Sequence, residues 1–348
     1  MPPVPDVTSS VVRPRASVLG AFVEGWRRVI RAPALTIGLL VLTLLTALPL
    51  AAALDAQMRA HFGSSLEADT AMGGWDARWA AEFHATSDGV GRTFTYEILG
   101  FGGTFAIVSR LMDGQPLDRS VTAAVAVYIG LWIFLSGGIL DRLARARRVG
   151  AAAFFSACGA YFFRFLRLAP FVAVAYWALF RWLHPLLFTT IYGRWTRGGM
   201  AEPHAFVLRG IFYLVFLVCL AAVGLTVDFI KVRLVVEDRR SVISATPAAV
   251  RFVRRRAWRI AGLTILNGVA ALILARLWLQ VAPGASAANW LVVGLGQLYV
   301  VARLWARLAF MASEVVFFQG ELAHAQYTAS GRRLLPDAPA ADAVSPPR

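Results

Sequence analysis

Apolar blocks of the length a bilayer demands, each flanked by arginines, recur along this chain and leave few folds open to it. A bilayer-spanning helix needs roughly 20 mostly apolar residues. Composition agrees: 58% of residues are hydrophobic, only 16% are charged, and the mean hydropathy is +0.61. A soluble domain carries about 45–50% apolar and about 25% charged residues. The apolar excess is segregated into blocks, so it is not one large core.

The blocks predict an all-α polytopic membrane protein with about six transmembrane helices. Expected spans are Pro33–Leu54, Val121–Leu140, Leu168–Ile191, Phe206–Ile230, Ile260–Val281, and a sixth from Trp290 to between Leu308 and Phe318. Residues 1–16 read as a flexible tail, 17–330 as one helical membrane domain, and 331–348 as a disordered Ala/Pro/Asp-rich tail. Leu50-Ala-Ala-Ala-Leu superficially resembles a signal-peptidase site, but the segment before it is too long and structured, so the first span reads as an uncleaved anchor. Residues 55–120 form an acidic insertion between spans one and two, with Trp75, Trp79 and Phe83 on one face of a short helix. Residues 98–112 are apolar but too short to span and read as an interfacial or re-entrant helix.

Orientation follows the arginines, because cytoplasmic loops carry the basic excess. They crowd the N-terminal segment, the second inter-span loop and the fourth; the third loop has only Arg194 and Arg197, and Ala282–Asn289 has no charge. Both termini are therefore expected in the cytoplasm, in a bacterial inner membrane. The net charge of +15 is spread beside the apolar blocks rather than gathered in one basic domain, so no nucleic acid partner is expected. Cys158 and Cys219 offer neither a disulfide framework nor metal spacing.

Three basic segments precede spans one, three and five: Trp26-Arg-Arg-Val-Ile-Arg, Tyr161-Phe-Phe-Arg-Phe-Leu-Arg and Phe252-Val-Arg-Arg-Arg-Ala-Trp-Arg. In the third, Val242, Thr246, Ala249, Val253 and Ala257 share a face, with Arg251, Arg254 and Arg255 off it. That is the form of an interfacial amphipathic helix. The expectation is a three-fold repeat of amphipathic helix plus hairpin.

The stretches Asp228-Phe-Ile-Lys-Val-Arg, Val236-Glu-Asp-Arg-Arg-Ser and Ala249-Val-Arg-Phe-Val-Arg-Arg-Arg resemble bacterial multi-pass membrane proteins of uncharacterised function. More distantly, they are similar to the membrane domain attached to some glycerophosphodiester phosphodiesterases. The resemblance covers the last two repeats and implies a helical membrane fold. The catalytic barrel of those enzymes has no counterpart in this length of chain.

Ionisable groups inside spans are the default functional candidates. Arg303 and Arg307 lie one turn apart on span six, Arg303 expected to face the bundle and Arg307 to snorkel, with Tyr299 and Glu314 on roughly the same face. With Arg251, Arg254 and Arg255 they are candidates for anion or lipid-phosphate binding. Arg276, Arg181 and His184 lie toward outer helix ends beside Trp278, Trp177 and Trp182; Asp228 is expected to pair with Lys231. Gly137-Gly138, Ala302 and Ala306 are expected to allow close helix approach. No catalytic constellation, metal site or cofactor motif stands out, so the chain reads as non-enzymatic. Its expected partners are anionic membrane lipids, a membrane protein or a second copy of itself. The alternatives are a transporter or permease for a small or lipidic anion, and a membrane-embedded lipid-modifying enzyme.

Overall fold

The computed structural model describes residues 17–65, 67, 69, 76–94, 119–145, 149–197, 199, 201–282 and 289–329. Both expected tails, Trp75 and the expected helix at 98–112 lie outside the described residues. Regular structure among the described residues is entirely helical. The main helices are α1 (Val18–Ile30), α2 (Pro33–Phe62), α3 (Ala77–Thr86), α4 (Arg119–Arg145), α5 (Ala151–Ala178), α6 (Glu202–Val236), α7 (Val242–Arg255), α8 (Ala257–Val281) and α9 (Asn289–Ala329). Helix α5 runs on through two π-helical segments, Leu179–Leu183 and Leu186–Ile191, into Tyr192–Thr196.

Among the described residues, five helices are long and apolar enough to cross a membrane: α2, Val125–Arg145 of α4, Ala151–Thr196, α6 and α8. The expected sixth span falls in α9, which is not among the five; its apolar run from Trp290 is interrupted by Arg303 and Arg307. The first span also runs past its expected end. Helix α2 continues through Asp55 to Phe62, with Arg59 paired to Asp55 one turn earlier at 2.8 Å. There it meets α3, where Trp79 stacks on Phe62 at 4.8 Å and on Phe83 at 5.3 Å.

Polar caps set the helix starts. The Ser17 hydroxyl accepts from the Gly20 N–H at 2.9 Å, and the Asp76 carboxylate accepts from the Arg78 and Trp79 N–H groups at 2.8 Å. Breaks are equally local. Ala32 precedes Pro33, a position pushed out of helical geometry, and it adopts φ −126° and ψ 52°, separating α1 from α2. Arg256, at φ −124° and ψ 21°, separates α7 from α8. The second repeat has no such break. Its amphipathic segment, Tyr161–Arg167, lies within α5, which continues through Pro170 into the span.

The amphipathic segments pack on the bundle, each on the last helix of the preceding repeat: α7 on α6, the start of α5 on α4, and α1 on α9, which closes the ring. Small residues permit the close approaches. A Cβ on Gly25 of α1 would lie 2.6 Å from the Ser313 backbone nitrogen on α9, and one on Gly138 of α4 would lie 2.5 Å from Cys158 Sγ. Gly137-Gly138 therefore serves packing within the chain. Ala302 and Ala306 are only half-buried, and the small residues that bury α9 come later, at Ala309, Ala312 and Ser313.

Most of the core lies at the arginine-rich end, around the second half of α9, where Leu308, Val315, Phe317 and Glu321 are buried. Toward the other end the spans expose large apolar side chains, such as Phe206, Leu214 and Leu217 on α6 and Leu272 on α8. Contiguous apolar exposure on that scale is foreign to a soluble monomer and suits hydrocarbon contact.

Candidate functional site

Three helix segments meet at the arginine-rich end: the end of α6, the whole of α7, and the last turns of α9. Helix α7 starts at Ser241, whose hydroxyl accepts from the Ser244 N–H at 3.4 Å, and it buries Val242, Ala245 and Ala249. This rotation leaves Ala248, Arg251, Phe252 and Arg255 along the side facing α9, one helical turn apart in pairs. Between them and α9 is a pocket of about 300 Å³, lined also by Arg233, Glu237, Arg256, Phe318, Glu321 and Leu322. Its size is at the small end of ligand cavities, about 300–1,000 Å³.

Electrostatically the pocket is unbalanced toward positive charge. Glu237 is shared by Arg233, at 3.0 Å, and Arg239; Glu321 is shared by Arg256 and Arg259. Burial resists ionisation of Glu321, but the hydrogen bonds from Arg256 and Arg259 outweigh it and hold its carboxyl below the usual range. Arg251 and Arg255 have no ion-pair partner among the described residues and are exposed at the mouth. Phe252, Phe318 and Leu322 supply an apolar wall, and the Arg256 guanidinium lies 4.6 Å from the Phe252 ring centre. Such a pocket can hold an anion that carries an apolar body.

Of the arginines the sequence singles out, Arg251 and Arg255 line this pocket. Arg254 does not; it is exposed, alongside Ile243, Val250 and Trp258, the last 91% exposed at the start of α8. Arg303 does not face the bundle as expected. It is exposed and, among the described residues, reaches the Tyr299 ring, at 5.7 Å. Arg307 is also exposed, stacked 3.6 Å from the Trp132 ring centre and donating to the Tyr128 hydroxyl at 3.3 Å. Glu314, expected on the same face, is buried at 2% exposure. Helical angle alone places these residues together. Their surroundings differ: Arg307 meets Tyr128 and Trp132 of α4, whereas Glu314 lies in the buried later half of α9. Arg181 and Arg276 are exposed on separate spans, whereas His184 packs against Phe188 at 4.6 Å and Phe216 at 5.5 Å, so the three are not gathered into one outer site. Asp228 and Lys231 pair as expected, at 3.0 Å.

Three structural arginines escaped sequence reading. Arg28 donates to the Leu143 carbonyl at 2.8 Å, Arg164 to Asp238 at 2.7 Å and the Arg239 carbonyl at 3.2 Å, and Arg256 to Glu321. Each ties its own repeat's basic segment to the far end of that repeat's second span. The signal was present as Arg-x-x-Arg: Arg28-Val-Ile-Arg31, Arg164-Phe-Leu-Arg167 and Arg256-Ala-Trp-Arg259. Aligning the segments on their aromatics sets this frame off by one and two residues.

No family model, no curated protein and no solved structure matches this chain.

Proposed function

We propose that this is a non-enzymatic membrane protein of a bacterial inner membrane, with both termini in the cytoplasm, that binds the phosphate headgroup of an anionic lipid in the pocket between α6, α7 and α9. The observation that carries the reading is the pair Arg251 and Arg255, without an ion-pair partner among the described residues, at the mouth of a pocket whose two carboxylates are already engaged. Guanidinium groups suit phosphate because their planar fork can donate two parallel hydrogen bonds. The volume suits a headgroup rather than a whole lipid, which leaves the acyl chains outside the pocket. Tryptophan and arginine at this level are the usual anchors of a membrane interface. Two-ended cytoplasmic topology requires an even number of spans, and the exposed Trp290, Val293 and Leu298 at the start of α9 support reading it as the sixth.

Native mass spectrometry of protein extracted with its own lipids tests this. Wild type is expected to retain an anionic phospholipid, and Arg251→Gln/Arg255→Gln to lose most of it, with affinity down about tenfold or more for two charge-assisted contacts. Arg303→Leu/Arg307→Leu is expected to retain it. Equal retention in the pocket variant, or loss only in the α9 variant, would count against the pocket.

A further inference from the structure

Glu314 has no role in the packing described above, yet it is the most deeply buried carboxyl of the molecule among the described residues, 2% exposed, with its Oε1 lacking any hydrogen-bond partner. The neighbouring Ser313 hydroxyl is spent on the Ala309 carbonyl at 2.6 Å. Two charged groups act on Glu314, Asp228 and Lys231 across the α6–α9 interface, and they are already bonded to each other at 3.0 Å. Charges on the other helices packed on α9 are engaged elsewhere: Arg28 of α1 with Gln319 and Glu24, Arg145 of α4 with Asp141, and Arg259 of α8 with Glu321. Helix α2 has no ionisable group from Pro33 to Leu54. An ionised carboxylate in such a place lacks a cation of its own, a costly arrangement. Asp228 is 37% exposed, so the pair next to the buried carboxyl is itself open on one side.

The same two helices build the arginine pocket. Glu314 precedes Phe318 by one turn and Glu321 by two on α9, and Asp228 precedes Arg233 and Glu237 on α6. At 1.5 Å per residue the buried carboxyl is about 10 Å along α9 from the pocket floor.

We propose that Glu314 carries an exchangeable proton, and that this proton is linked to anion binding in the arginine pocket. The inference rests on the pocket being an anion site. When Glu314 gives up its proton, through Asp228 to solvent, a negative charge is left beneath the pocket and weakens anion binding. At about 10 Å and an effective dielectric near 20, the repulsion corresponds to roughly a tenfold change in affinity. Linkage is reciprocal: a bound anion makes the carboxyl hold its proton more tightly by the same factor.

The test measures binding of a short-chain phosphatidylglycerol, and separately of inorganic phosphate, to the full chain in detergent from about pH 5 to about pH 9, a range that includes documented buried carboxyls. Wild-type affinity for phosphatidylglycerol is expected to fall about tenfold as pH rises through the titration of Glu314. Glu314→Gln, which keeps the volume and fixes the neutral form, is expected to bind as tightly at high pH as wild type does at low pH. Asp228→Asn frees Lys231 to pair with an ionised Glu314, so its transition is expected at lower pH; this variant keeps the question open to test if the glutamine variant does not fold. Phosphate following the same pH course would place the recognition in the anion alone, and phosphatidylglycerol alone doing so would assign it to the lipid; both support the linkage. Binding that is intact and equally pH-dependent in Glu314→Gln, or pH-independent in wild type, overturns the linkage while leaving the pocket standing. Absence of binding of either probe to wild type removes the pocket itself and the inference with it.

Discussion

Replacing Glu321 with leucine is expected to cost about 3 kcal/mol of stability, the order found when one partner of a buried ion pair is removed. Glu321 is 3% exposed and holds both Arg256 and Arg259, which are 25% and 32% exposed. Without the carboxylate, two half-buried guanidinium groups face each other beside Phe252 and Phe317, and the junction of α7 and α8 loses its tie to α9. The same pairing has a pH signature. Because the carboxyl titrates below its ordinary range when folded, the unfolded chain takes up the proton first as pH falls. The stabilisation is therefore complete above the unfolded-state value of about 4.3 and is lost as pH drops through the folded-state value. Unfolding by SDS titration from about pH 7 down to about pH 3 should show wild type losing stability faster than Glu321→Gln, whose amide has no charge to lose. Parallel acid limbs for the two proteins would show that the pair contributes little to stability.

The second large effect is expected at Arg28. Its guanidinium donates to the Leu143 carbonyl at 2.8 Å and to Gln319 at 3.0 Å, and its Nε reaches Glu24 at 3.5 Å. Leu143 is two residues from the end of α4, where the last carbonyls have no partner inside the helix. One side chain thus joins α1, α4 and α9. Arg28→Met keeps much of the stem and removes these bonds; the expected cost is about 2 kcal/mol, from one charge-assisted bond and one unsatisfied buried carbonyl. Arg27, the adjacent residue, is exposed, and Arg27→Met is expected to stay within about 0.5 kcal/mol of wild type. Equal effects at the two positions would mean that Arg28 acts only through net charge.

The contrast between Arg27 and Arg28 shows what the sequence made legible and what it did not. Spans one to five follow from the apolar runs, because hydrocarbon demands length and apolarity and both are countable in one dimension. The repeat was legible from its basic segments, though its register was not: the partners of Arg28 and Arg164 include main-chain carbonyls, which no side-chain pattern encodes. Arg303 and Glu314 share a helical angle, yet one is exposed and the other is buried. Helical periodicity fixes direction around an axis but not what stands on that side at each level of the bundle. Arg251 and Arg255 were legible as exposed cations, but their pocket was not, since its far wall comes from Phe318 and Leu322.

Photo-crosslinking in native membranes tests the central claim most directly. A diazirine side chain at Ala248, on the pocket wall, should capture an anionic phospholipid, and the adduct should disappear in the Arg251→Gln/Arg255→Gln background. Capture of zwitterionic and anionic lipids in proportion to their abundance, unchanged when the arginines are removed, would contradict a phosphate-recognising pocket.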